Sequence, residues 1–79
     1  MKLEIRVFAG LHKYIPGKAS GVPFEVEIGS GSTGLQLIEQ LGVPEKEAFL
    51  FMVNGNRQEL SHTLQDGDRV GIFPPVGGG

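Results

Sequence analysis

The residues with the clearest chemical potential close the sequence: Pro74-Pro75-Val76-Gly77-Gly78-Gly79. Three glycines carry no side chains, so such an arm can thread a narrow channel and set the Gly79 carboxylate inside another protein. Glycine also removes the steric shield beside that carboxylate and leaves it open to a nucleophile after activation. A carboxylate is a poor electrophile until it becomes a mixed anhydride such as an acyl-adenylate. Nothing in the chain is suited to binding ATP for that step, so an activating partner is implied. Pro74-Pro75 stiffens the base of the arm, and six residues beyond Phe73 reach at most about 20 Å. The bland alternative is a frayed terminus without a role.

Two other groups of residues invite a chemical reading. Gly29-Ser30-Gly31-Ser32-Thr33-Gly34 spells G-x-G-x-x-G between an expected strand and an expected helix, where backbone N–H groups could cradle a pyrophosphate. Against this, the position about twenty residues on offers Asn54, where a ribose-binding site has an acidic residue. The chain is also too short for two mononucleotide-binding halves, and the strands before the motif read as an antiparallel hairpin. A turn leading into a well-capped helix accounts for the glycines. His12 and His62 are isolated, with no Ser or Asp in a nucleophile–base pattern beside them. Asp66 and Asp68 flank Gly67 as turn formers.

Composition narrows the classes further. Seventy-nine residues make one small domain. An apolar fraction of 39% supports a packed core, and a net charge of −2 leaves no reason for disorder. The seven basic residues are scattered, so no patch for nucleic-acid binding is expected. The absence of cysteine excludes a disulfide framework, a thiolate metal site and a thiol nucleophile. The alternating start of the chain is unlike a signal peptide, and no apolar run suffices to span a bilayer. A cytoplasmic protein without membrane contact is the expectation.

The elements that must position the arm follow from periodicity. Leu3, Ile5 and Val7 alternate with Lys2, Glu4, Arg6 and Phe8, which predicts a half-buried strand with an aromatic on its polar side. Leu11, Tyr14 and Ile15 predict a short helical turn. Phe24, Val26 and Ile28 alternate with Glu25 and Glu27 as a second strand. Thr33 and Gln36 form a capping box for a helix with a stripe of Leu35, Ile38 and Leu41, widened by Leu37. Gly42 and Pro44 end it. Phe49-Leu50-Phe51-Met52-Val53 reads as a strand buried on both faces. Asn54-Gly55 predicts a hairpin into a short polar strand around residues 57–60. Arg69–Phe73 is the last strand, stopped by Pro74-Pro75.

In these features the sequence resembles the ubiquitin-like β-grasp sulfur carriers over essentially its whole length. The likeness rests on the first strand ending in Phe8, on Gly31-Ser32-Thr33-Gly34, on Val53-Asn54-Gly55, and above all on residues 64–79, LQDGDRVGIFPPVGGG. The Asp-Gly-Asp turn and the Gly-Gly end are shared widely among these carriers. Phe73-Pro74-Pro75-Val76 resembles specifically the small subunit of molybdopterin synthase.

The resemblance implies an α+β fold: a mixed four- to five-stranded sheet with one main helix packed across one face. It implies a domain over 1–73 and an extended arm over 74–79. It further implies that an E1-like enzyme adenylates the Gly79 carboxylate with ATP, and that a sulfur donor system converts it to a thiocarboxylate. The tail then enters the molybdopterin synthase large subunit, within a heterotetramer, and gives sulfur to a pyranopterin. Gly77 and Gly78 provide passage, Pro74, Pro75 and Val76 set the arm, and Phe8 and Phe73 match partner-facing positions. The chain would be a co-substrate that binds no cofactor or metal itself, with the catalytic residues on the large subunit. Gly77 stands where many relatives have Thr, Ser or Ala, and residues 11–15 depart from the usual Leu-Arg-Glu. Rival readings are a carrier for thiamine, tungsten-cofactor or other sulfur transfer, a protein modifier joined through Gly79, and a plain interaction module.

Overall fold

The computed structural model describes residues 1–75, and Val76–Gly79 lie outside the described residues. The elements run β1 (Lys2–Val7), a 3-10 turn (Leu11–Tyr14), β2 (Phe24–Glu27), α1 (Gly34–Leu41), a second 3-10 turn (Glu45–Glu47), β3 (Leu50–Val53), β4 (Asn56–Arg57) and β5 (Arg69–Phe73). Among the described residues the five strands form one sheet in the order β2-β1-β5-β3-β4. β1 and β5 pair in parallel at its centre, with Ile5 opposite Val70 and Val7 opposite Ile72. The other pairings are antiparallel. This is the expected mixed sheet with one helix across one face.

Alternation decides which face is buried. Leu3, Ile5, Val7, Phe51, Val53, Val70 and Ile72 point from the three central strands into the core. Leu37 and Ile38 of α1 cover them, and Leu11, Val43 and Leu64 close the ends. Two-layer packing of one helix stripe on one sheet face is what so short a chain can bury. The helix stripe is shifted from the expected one. Gly34, Leu37 and Ile38 are buried with Leu41 beside them, whereas Leu35 lies on the flank, 37% exposed. Positions i, i+3, i+4 and i+7 meet the sheet, and Leu35 is one residue out of phase.

Two further expectations are corrected. The apolar run over residues 49–53 is not buried on both faces. Phe51 and Val53 are buried, Leu50 and Met52 are half-buried, and Phe49 is 64% exposed. A single helix covers only one side of the sheet, so the other side of β3 has no layer to pack against. The polar strand after the hairpin begins at Asn56 and is only two residues long. Asn54 and Gly55, with φ of 52° and 85°, make the tight turn that pairs Val53 with Asn56.

Gly34 shows why the helix can approach so closely. A Cβ at this position would sit 2.8 Å from the Phe51 ring and 3.1 Å from the Leu60 carbonyl oxygen. The missing side chain lets the first turn of α1 rest on β3. Gly34→Ala would gain helix propensity of up to about 1 kcal/mol, but crowding in a packed core costs about 1–3 kcal/mol. A net destabilisation of about 1–2 kcal/mol is expected from urea unfolding. An unchanged midpoint would mean that the Phe51 ring gives way without cost.

Candidate partner-binding face and tail base

The face of the sheet away from α1 is open. Its rows follow from the register: Arg6, Gly71 and Met52 lie side by side, as do Glu4 and Arg69 on adjacent strands, and Phe73 lies beside Leu50. Phe8 extends β1 by one residue, donating its N–H to the Ile72 carbonyl at 3.1 Å. Its ring stacks on Phe73 with centroids 4.4 Å apart and planes 2° from parallel. The two aromatics, distant in sequence, thus form one half-buried apolar plate at the end of β5. Phe8 is therefore less open than an aromatic on the polar side of a lone strand would be. Pro74 and Pro75 follow directly from the Phe73 side of this plate.

The remaining expected site residues, Val76, Gly77, Gly78 and Gly79, lie outside the described residues. Phe73 is the last residue of β5.

A hydrogen-bonded clasp holds the start of β5. Asp68 is buried, and its carboxylate accepts from the Asn54 side-chain amide and from the Gln65 N–H, both at 2.8 Å. The Asn54 side-chain oxygen accepts from the Arg69 N–H at 2.9 Å, and the Asn54 N–H donates to the Arg69 carbonyl at 2.7 Å. Asp66 accepts from the Lys2 N–H at 2.7 Å. The sequence marks Asn54, Asp66 and Asp68 as turn formers. It gives no sign that two turns 14 residues apart bond to each other.

The glycine-rich motif is not a phosphate cradle. Thr33 N–H donates to the Gln36 side-chain oxygen, and Gln36 N–H to the Thr33 hydroxyl, completing the capping box. Gly34 N–H donates to the His62 carbonyl at 3.1 Å, and Leu35 N–H to the Leu60 carbonyl at 2.9 Å. The donors that would meet an anion are already engaged. His12 and His62 are not brought into a cluster with carboxylates: among the described residues no three metal-ligating side chains come together. Likewise, among the described residues no helix is long and apolar enough to cross a membrane.

Sequence reasoning missed Gly71. It reads as a weak point in a strand, yet it lies at the centre of the open face with Phe8, Phe73 and Met52 around it. The alternation of β5 could have located it, since Gly71 falls between the core residues Val70 and Ile72 and so shares a face with Phe73.

A mixed sheet with parallel central strands from the two ends of the chain, one helix across it and a glycine-rich segment following the last strand define a ubiquitin-like β-grasp protein. The chain belongs to the Mut7-C ubiquitin family, whose model matches residues 1–77. No curated protein matches the sequence significantly. Among solved structures it is similar to SAMP1 from Haloferax volcanii, with 25% identity, full coverage of both chains and a TM-score of 0.69. A Pyrococcus furiosus protein described as molybdopterin converting factor subunit 1 is 27% identical, over 96% of this chain and 99% of that one, with a TM-score of 0.70. A chain in the Helicobacter pylori complex of molybdopterin-converting factor subunits 1 and 2 is 26% identical, with full coverage of both chains and a TM-score of 0.61.

The stack leads to a prediction about Phe8. Phe8→Ala removes one partner of an aromatic pair worth about 0.5–1.5 kcal/mol beyond its buried area. The core beneath, Val7 and Ile72, is untouched. Thermal unfolding should therefore fall by only a few degrees, while affinity for a partner seated on the plate drops. A collapse of the fold would place Phe8 in the core instead.

Proposed function

We propose that this chain is a sulfur carrier, serving as the small subunit of molybdopterin synthase. One observation carries the reading. β5 runs past the apolar plate of Phe8 and Phe73 directly into Pro74-Pro75-Val76-Gly77-Gly78-Gly79, so a partner docked on the plate lies beside the base of the arm. The likeness to molybdopterin converting factor subunit 1 and to the Helicobacter complex supports it.

In this reading an oxygen of the Gly79 carboxylate attacks the α-phosphorus of ATP on an E1-like enzyme, and pyrophosphate leaves. Hydrosulfide released by the donor system then attacks the acyl carbon and loses its proton. A C–S bond forms, the C–O bond to AMP breaks, and AMP leaves with the bonding electrons. The resulting thiocarboxylate enters the large subunit, whose residues catalyse sulfur transfer to the pyranopterin. The carrier binds no cofactor and acts in the cytoplasm. Pro74, Pro75 and Val76 aim the arm, and Gly77 and Gly78 let it pass.

A second reading is a protein modifier, with Gly79 joined to a target lysine. It is favoured by the likeness to SAMP1 and, for the fold, to the small archaeal modifier protein 1 structure at 21% identity. Both readings share the activated Gly79.

Intact-protein mass after incubation with an E1-like enzyme, ATP and a sulfur source tests the proposal. A gain equal to the replacement of one oxygen by sulfur is expected, and should be lost when Gly79 is deleted. No gain, accompanied by a ladder of conjugates on immunoblots, would move the assignment to the modifier. Neither result would leave a binding module with an inert tail.

A further inference from the structure

Gly71 leaves a hole in the middle of the open sheet face. It sits on the central strand β5, level with Arg6 of β1 and Met52 of β3, both of which carry long side chains. The result is a pit of about 320 Å³, walled by the Phe8–Phe73 stack and Met52 and rimmed by Glu4, Arg6 and Arg69.

The fold does not require glycine at this position. Its backbone is not in the left-handed region. A Cβ there would lie 3.5 Å from the Phe73 ring, 3.7 Å from the Phe8 ring and 3.8 Å from the Met52 Cβ, all ordinary van der Waals contact. Glycine inside a strand weakens it, through lost chain entropy and absent packing. Gly34 is different, because there the core leaves no room for a side chain. At Gly71 the room is on the outside.

We propose that the pit at Gly71 receives one large apolar side chain from a partner protein, and that the partner presents carboxylates toward Arg69. The inference rests on the reading that the plate docks the enzymes that load and unload the arm, and it specifies the chemistry of their contact. The pit lies at the small end of the range for ligand pockets, about 300–1,000 Å³, and is open to solvent, so it suits an inserted side chain better than a free ligand. Its walls are two aromatic rings and a thioether, the kind of surface that forms the centre of an interface. The charge of the rim selects the partner. Glu4 is 3.7 Å from Arg6 and balances it. Arg69 makes no ion pair among the described residues, so a chain of net charge −2 presents a cationic rim here. A second copy would bring Arg69 against the same cationic rim. A partner with acidic side chains around an apolar knob complements it, and exposed rim charges act mainly on association rate and salt dependence.

The test titrates the chain against two purified proteins of its own organism, the E1-like adenylating enzyme and the molybdopterin synthase large subunit. Wild type should bind at least one. Gly71→Leu should fill the pit and weaken binding by at least about tenfold, without lowering the melting temperature. Arg69→Glu should slow association and flatten its salt dependence. Phe49→Ala, at an exposed residue of a separate groove lined also by Thr33, Leu35 and Leu60, should bind as wild type. Within the wild-type complex, partner side-chain protons should show nuclear Overhauser contacts to the Gly71 α-protons as well as to the Phe8 and Phe73 rings. This readout decides the matter should Gly71→Leu fail to fold. Wild-type binding that Gly71→Leu leaves unchanged, or a complex with ring contacts but none to Gly71, overturns the pit and leaves the docking reading standing, whereas a complex without ring contacts overturns both. No wild-type binding to either protein overturns both.

Discussion

The parallel pairing of β1 with β5 is the constraint on which the rest of the structure depends. It joins residues 4–7 to residues 69–72, almost the full length of the chain apart. Such a pairing carries the loop-closure entropy of everything between and forms late unless other contacts reward it. The reward is visible on the core side. Ile5 with Val70, and Val7 with Ile72, form the most deeply buried part of the sheet, and α1 closes over them. β2 and β3 then attach to the two outer edges of this central pair, so each hairpin inherits its place from it.

The same pairing builds the open face of the sheet. Phe8 reaches Phe73 only because β1 and β5 run in the same direction and end together. Their stack is thus a by-product of register, and it marks the point at which the chain leaves the sheet for the glycine-rich arm. The core side of β5 is filled by Val70 and Ile72, and its outer side holds Gly71 and Phe73. One strand therefore supplies the centre of the core, the floor of the open face and the base of the tail. A change in its register by one residue would exchange these roles, which is why the clasp of Asn54 and Asp68 at its start matters.

The polar groups are spent on holding segments together. The segment from Leu60 to Leu64, a turn followed by an isolated bridge of Thr63 to Thr33, takes up the free amides at the start of α1. Leu64 N–H in turn donates to the Ser32 carbonyl at 2.8 Å. Residues that would suit an anion in isolation thereby become a structural joint. The acidic turn is treated alike: Asp66 and Asp68 accept from backbone and side-chain amides of Lys2, Gln65 and Asn54.

Much was legible in the sequence because it is local. The period-two pattern of residues 2–8, the capping box of Thr33 and Gln36, the Asn54-Gly55 turn and the proline stop after Phe73 each depend on neighbours a few residues away. The chemistry proposed for the Gly79 carboxylate likewise rests on the local sequence of the glycine-rich ending. The helix stripe and the apolar run at residues 49–53 were misread, since periodicity does not say how many layers will cover a strand or which side of α1 will touch it. Only tertiary structure decided that Gly34 is a packing requirement and Gly71 an outward vacancy. Both are glycines in regular elements, and what separates them is the distance to atoms far off in the chain. The stack of Phe8 on Phe73 and the clasp of Asn54 on Asp68 belong to the same class, being contacts set by strand order and register, which a linear pattern does not encode.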